Sequence, residues 1–272
     1  MPVAAFSAAA EAFDAVAEQF DARFGGWLSV AAQRRAVRAE LLQAFPSGAR
    51  VLEIGGGTGD DAAWLSRRGR DVLLTDASAT MVRLASARLE RLGGPAAQVL
   101  AAENLATLAE ERERAGSALF DGAFSNFAAL NCVIDLAPVG AALARLVRPG
   151  GQLALVVFGT WSPGEWLLEC VRGRPKNAFR RLHRGDVSAR LSGKPFVVRY
   201  HRRRAITAAL APWFRLTATR GVGLFVPPSA AEPWISSYPR VLALLERLDQ
   251  LVSRPLAPLG DHVLYRFERS SQ

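Results

Sequence analysis

Glu53, Gly55, Gly56, Gly57, Gly59 and Asp60, followed by Asp76, are the residues whose types and spacing suit ligand chemistry. Val51 to Ile54 reads as a short buried strand, the glycine run as a sharp turn, and Ala62, Ala63 and Leu65 as the start of a helix. Without Cβ atoms, the turn lets a ligand approach the N–H groups exposed at the helix start. Asp71 to Thr75 reads as a second strand with Asp76 at its carboxyl end, where open parallel sheets bind ligands. This is a nucleotide-binding layout. Phosphate is a poor fit, because the sixth position counted from Gly55 is Asp60, where the dinucleotide fingerprint has glycine. No Gly-Lys-Ser/Thr follows to make a phosphate loop.

The run Glu53-Ile-Gly-Gly-Gly-Thr-Gly59 resembles the first motif, E-x-G-x-G-x-G, of the class I S-adenosylmethionine-dependent methyltransferases. Their ligand carries a sulfonium and an ammonium group and no phosphate, so surrounding carboxylates make electrostatic sense. The resemblance is firm over residues 45 to 160 and looser elsewhere. It implies an α/β fold, a doubly wound seven-stranded mostly parallel sheet, with N-terminal helices and a basic lid inserted after the fifth strand. It also implies S-adenosylmethionine as cofactor, S-adenosylhomocysteine as product, and no metal. Asp76 would accept hydrogen bonds from both ribose hydroxyls, with Ala77 beside it and Met81 against the adenine. The family often has Asp at the position of Ala101, so here the adenine edge would rest on Ala102 N–H and Glu103. Ser125 and Asn126 would hold the methionine part, and Phe127 would wall the sulfonium.

The elements that must position these groups follow in order. Residues 4 to 24 read as one helix with Phe13, Val16, Phe20 and Phe24 on one face and Glu11, Asp14, Glu18 and Asp21 on another. Gly25 and Gly26 stop it, and Ser29 is placed to cap a second helix from Val30. Residues 1–45 thus form a helical cap from which Phe24, Trp27 and Arg35 can reach the site. Residues 46–160 form the core, with a third strand at Gln98 to Ala101, a fourth at Phe120 to Ser125 and a fifth at Gln152 to Phe158. Residues 161–204 are the inserted lid, and residues 205–272 complete the sheet, His262 to Glu268 being a final antiparallel strand. The apolar positions 241, 244, 245, 248 and 252 define a helix within that last part.

The whole chain carries a formal net charge of +9. Between Trp161 and Arg204 twelve Lys/Arg face three Asp/Glu, so this segment accounts for all of it. A solvated arginine-rich helical surface and a basic lid for an anionic acceptor, acidic lipid or RNA are both open readings. Trp161 and Trp166 are interleaved with the charges and, with Asn131 after the fourth strand, are candidate acceptor contacts. His183, His201 and Tyr200 are the candidate bases, with His262 behind them, although methyl transfer can proceed without a base. The expected activity is in-line methyl transfer to a small molecule, natural-product, quinone-like or lipid-like and anionic in one variant. The loop Ser125-Asn-Phe-Ala lacks the prolines of enzymes that methylate the exocyclic amines of bases, so no stable nucleic-acid partner is expected. RNA methylation through the basic segment and a non-catalytic, cofactor-binding partner protein are the rival readings. Cys132 and Cys170 lack metal-ligand spacing, and no leader or apolar run long enough to span a bilayer is apparent. A cytoplasmic protein is expected, with peripheral membrane contact open to the basic segment.

Overall fold

The computed structural model describes residues 8–95 and 97–271. Three helices come first: α1 (Ala8–Asp14), α2 (Ala17–Phe24) and α3 (Leu28–Ala44). The nucleotide-binding core alternates β1 (Arg50–Ile54), α4 (Asp60–Ser66), β2 (Asp71–Asp76), α5 (Ala79–Glu90) and β3 (Gln98–Val99). It continues through α6 (Leu105–Arg114), β4 (Phe120–Ser125), α7 (Ala137–Leu146) and β5 (Val147–Phe158). Helices α8 (Pro163–Val171) and α9 (Pro175–Ala178) lead to a hairpin of β6 (Asp186–Leu191) and β7 (Lys194–Arg199). The chain closes with α10 (Arg203–Leu210), β8 (Phe214–Val222), α11 (Pro239–Val252) and β9 (His262–Arg269).

Seven strands form one sheet in the order β3-β2-β1-β4-β5-β9-β8. β1 to β5 pair in parallel, and β9 runs antiparallel between β5 and β8. The near-continuous apolar runs of the central strands have a direct cause: both faces are covered. Leu52, Leu153, Leu155 and Val157 pack with α6, α7 and α10, while Val51, Ala154 and Val156 pack with α3, α4 and α5. Each fully buried Leu or Phe in these layers contributes roughly 1.5–3 kcal/mol. The strand order reverses between β1 and β4, and that switch point fixes where the sheet's carboxyl edge opens.

Several boundaries differ from the sequence expectation. Of the expected first helix, residues 4–7 lie outside the described residues, and the rest is broken at Ala15–Val16 into α1 and α2. Its acidic stripe stays largely exposed but reaches the neighbouring elements. Asp14 Oδ1 accepts from Ser78 Oγ at 2.7 Å and from Thr80 N at 2.8 Å, and Asp21 Oδ1 accepts from Thr58 Oγ1 at 2.7 Å. Arg83 pairs with Glu18 and Arg88 with Asp21. The helix pair is thus bolted to the glycine loop and α5 by carboxylates. α3 begins at Leu28 with Trp27 as its N-cap residue, while Ser29 is buried and its N–H donates to Glu232 Oε1. β3 stops at Val99.

The segment after β5 is not an all-helical surface, since about a third of it is the β6–β7 hairpin. Five of its twelve cations are ion-paired among the described residues. Arg180 and Arg181 pair with Glu165, Arg181 also with Asp261, Arg172 and Arg174 with Glu169, and Arg199 with Asp186.

The Ser78 hydroxyl, with help from Thr80, holds the Asp14 carboxyl below its ordinary value of 3.8. Because the folded value is depressed, the anchoring is fully present above 3.8 and is lost as pH falls through the lowered value. Asp14→Ala is expected to cost about 1–2 kcal/mol of stability. It should accelerate hydrogen exchange selectively across Ala8–Phe24, read by exchange mass spectrometry; uniform protection in that segment would contradict the anchoring.

Candidate active site

A cavity of about 450 Å³ lies over the carboxyl ends of β1, β2 and β4. Its floor is the glycine loop. Gly57 has φ +56°, a conformation that disfavours any Cβ, and its N–H donates to Asp76 Oδ2 at 2.8 Å. Asp76 Oδ1 accepts from Ser78 N at 2.9 Å, and Ser78 Oγ caps α5 by accepting from Met81 N at 3.1 Å. Burial holds the Asp76 carboxyl above its ordinary value despite the N–H groups of Ser78 and Gly57. Glu53, Gly55, Gly56, Asp60 and Ala77 share this wall, as do Met81, Ala102 and Glu103. Gly59 is not on it. At φ +78° it precedes α4, and a Cβ there would stand 3.0 Å from Ala85 Cβ, so its role is helix packing.

Glu53 is 2% exposed, and its Oε2 has no hydrogen-bond partner. Burial, reinforced by the neighbouring Asp61, raises its carboxyl well above the ordinary range. An orphaned buried carboxylate oxygen beside Asp76 and Glu103 suits a cationic ligand. Arg34 of α3, itself in the lining, offsets part of this field, and both Arg34 and Arg38 are engaged by the loop's own acids. Both pair with Asp60, and they hold its carboxyl below the ordinary value although burial acts the other way. Asp60 therefore anchors α3. Asp61 does similar work: Oδ1 accepts from Arg38 Nε at 2.7 Å and Oδ2 from Asn126 Nδ2 at 2.7 Å.

Asn126 in turn accepts from Phe127 N at 2.8 Å through Oδ1. This fixes the loop after β4, where Phe127 (φ +46°) and Ala128 (φ +63°) both occupy the left-handed region. Two such non-glycine residues cost on the order of 1–3 kcal/mol each and persist only where the surroundings hold them. The Arg34 guanidinium lies 4.8 Å from the Phe127 ring centroid. Arg34 and Asp61 escaped the sequence reading, and their neighbours explain why. Arg35, one residue on and about 100° round the helix, turns away to a bidentate pair with Glu246.

The far half of the cavity is apolar. Phe13 of α1 meets Phe196 of β7 edge-on at 5.8 Å, and Val198, Tyr200, Phe158 and Leu130 extend the wall. Asn131 ties this wall to the core, donating from Nδ2 to Arg199 O at 2.6 Å and accepting from Phe158 N at 2.9 Å. Its amide is therefore a strut as well as a lining group. Phe24 lines the cavity, whereas Trp27 packs edge-on against Phe24 off the lining. Trp161 meets Trp166 edge-on, and Trp166 packs at a tilt on Phe179, again off the lining. Ser125 is fully buried beneath the wall and does not reach the space.

Of the three foremost candidate bases, Tyr200 alone lines the cavity, and burial raises its phenol. His183 is exposed, accepting from Gly185 N. His201 is buried off the lining with Nε2 on Val133 O at 2.8 Å, and burial lowers its basicity. Cys132 does line the cavity, but burial raises its thiol to about 11, so it is not a thiolate. His262 is the histidine in the wall. Its ring stacks on Phe158 at 4.9 Å and meets Phe127 edge-on at 5.8 Å. Its Nδ1 stands 3.2 Å from Asp261 Oδ2, and Arg181 NH2 donates to Asp261 Oδ1 at 2.7 Å.

Residues 51–151 match the family model of the methyltransferase domain. No curated protein is similar enough in sequence to match. Solved structures share the fold at low identity. An S-adenosylmethionine-dependent methyltransferase from Mesorhizobium loti is 18% identical, with 88% of this chain and 98% of that one covered, at TM-score 0.52. Another from Methanosarcina mazei is 19% identical, with 85% and 96% covered, at TM-score 0.53. The geranyl diphosphate C-methyltransferase from Streptomyces coelicolor A3(2) is 13% identical, with 88% and 79% covered, at TM-score 0.52. The sheet and its glycine loop thus define a Rossmann-like α/β fold. Within it, residues 51–151 carry a methyltransferase domain.

The ligand's ammonium favours an ionised carboxylate, so binding should release the proton that burial keeps on Glu53, and affinity should rise with pH. Calorimetry in two buffers of different ionisation enthalpy is expected to report proton release for the wild type and none for Glu53→Gln. A pH-independent affinity would contradict the assignment.

Proposed function

We propose that the chain methylates a small, predominantly apolar acceptor carrying a nucleophilic hydroxyl. The observation that carries this reading is one continuous cavity, acidic over the glycine loop and aromatic beyond it. Bound S-adenosylmethionine supplies a methyl carbon activated by the sulfonium, and the carbon–sulfur bond breaks as the acceptor oxygen bonds to that carbon, leaving S-adenosylhomocysteine. Glu53 and Asp76 hold the donor's cationic and ribose groups, while Phe13, Phe196 and Tyr200 seat the acceptor. Together they bring the partners into line and keep water out. Because Arg180, the cation in the far half of the cavity lining, is paired with Glu165, the acceptor need not be an anion.

His262 is the base we assign to this reaction. The Asp261 carboxylate stands 3.2 Å from Nδ1 without forming a hydrogen bond, and its charge favours the tautomer protonated there, which leaves Nε2 as the acceptor atom. Nε2 makes no hydrogen bond among the described residues. The hydroxyl proton would pass to Nε2 as the oxygen attacks. Asp261 is fit to stabilise the resulting imidazolium, since Arg181 holds its carboxyl well below the ordinary range in spite of burial.

Calorimetric titration is expected to give micromolar binding of S-adenosylmethionine and S-adenosylhomocysteine and no binding of NAD(H). Asp76→Ala should abolish both adenosyl interactions, and unchanged binding would sink the ribose assignment. With phenols and prenyl alcohols as acceptors, His262→Gln should retain donor affinity and lose roughly 10²–10⁴-fold in turnover. Turnover unchanged in His262→Gln would remove His262 from the chemistry while leaving the cofactor reading intact.

A further inference from the structure

α11 is amphipathic, but its apolar face is only partly used. Leu242 is buried against Ile235, Val226 and Ala32, and Leu245 packs on the same cluster. Further round the helix, Val241, Leu244, Leu248 and Leu251 remain in solvent, Leu244 at 57% and Leu251 at 77% exposure. Trp234 (64% exposed) and Tyr238 (48%) stand just ahead of the helix and stack on one another at 5.4 Å. An exposed run of this kind marks an interaction surface more often than a free one.

Charge says what covers it. Arg240 and Arg247 flank the stripe seven residues apart, so they lie within about 20° of one line along the helix, and Arg254 continues the spacing in the turn beyond. All three are exposed, and none forms an ion pair among the described residues. The two carboxylates of α11 near this stretch are occupied elsewhere. Glu246 is held by Arg35, and Asp249 accepts from Leu224 N and Phe225 N. The exposed face is therefore apolar with a purely cationic edge. A second copy packed antiparallel on α11 would set one arginine row against the other with no carboxylate between them.

We propose that this face is an interfacial membrane anchor. α11 lies in the plane of an anionic bilayer with Leu244, Leu248 and Leu251 entering the acyl boundary. Trp234 and Tyr238 sit at headgroup level and Arg240, Arg247 and Arg254 on lipid phosphates. No helix among the described residues is long and apolar enough to cross a membrane, so the chain lies on the surface and does not span it. Contact runs through α11, where unpaired cations border an exposed apolar stripe on one helix. The inference is independent of the methyl acceptor.

Vesicle flotation of the full chain tests it, using phosphatidylcholine alone and phosphatidylcholine mixed with phosphatidylglycerol. The wild type is expected to float with the anionic vesicles and to detach as salt is raised. Replacing Arg240, Arg247 and Arg254 by Gln should weaken that binding on the order of a hundredfold. Leu244→Glu with Leu251→Glu should abolish it, while donor affinity measured by calorimetry stays at the wild-type value and reports an intact fold. Absence of flotation, or flotation unchanged in both variants, would overturn the proposal. So would light scattering that shows a dimer dissociated by the two Leu→Glu changes, which would assign the face to a second copy.

Discussion

The constraint on which the site depends is a buried carboxyl group with one oxygen left without a partner. Glu53 stands next to last in β1 with Asp61 close by, and no described residue satisfies its Oε2. Leaving such a group buried costs several kcal/mol. A fold tolerates that where a ligand of opposite charge offsets it. The neighbouring acids are tied to α3, whose Arg34 and Arg38 pair with Asp60 and Asp61. Asp61 still raises the Glu53 carboxyl, and Arg34, itself in the cavity lining, offsets that in part.

Everything that encloses the cavity is tied back to that loop. Asp14 and Asp21 pin the first two helices to Ser78, Thr80 and Thr58, residues on or just after the loops that contact the donor side. On the opposite wall, Asn131 joins β5 to the end of β7, and Asp261 joins β9 to Arg181 and so to Glu165 of α8. Each tie is a buried or half-buried polar contact, and its directionality fixes geometry that apolar packing would leave adjustable.

The sheet was legible in the sequence because two-sided burial writes unbroken apolar runs and because glycines and acids mark strand ends. Glu53, Asp76 and Asn126 stand where that logic puts them. What was not legible came from contacts distant in sequence. Asp14 and Asp21 look like a solvated stripe until α5 and the glycine loop are set beneath them. Arg34 and Arg35 differ by one helical step, and only the position of α11 sends Arg35 outward. His183 and His201 drew notice for lying in the basic segment, but the cavity wall takes His262, which closure of β9 against β5 brings beside Phe158. The heptad-like stripe of α11 reads as core in one dimension; half of it faces outward because the cluster beneath is already filled by Ile235, Val226 and Ala231.

The roof of the cavity carries a kinetic consequence. Phe13 and Phe196 meet from two segments that share no strand pairing, α1 and the β6–β7 hairpin. The hairpin pairs only with itself, so its separation from α1 breaks side-chain contacts and leaves every hydrogen-bonded strand pair of the main sheet intact. Entry and exit are thus decoupled from global unfolding. Turnover becomes sensitive to solvent viscosity whenever parting of this aromatic seam is slower than the chemistry it shelters.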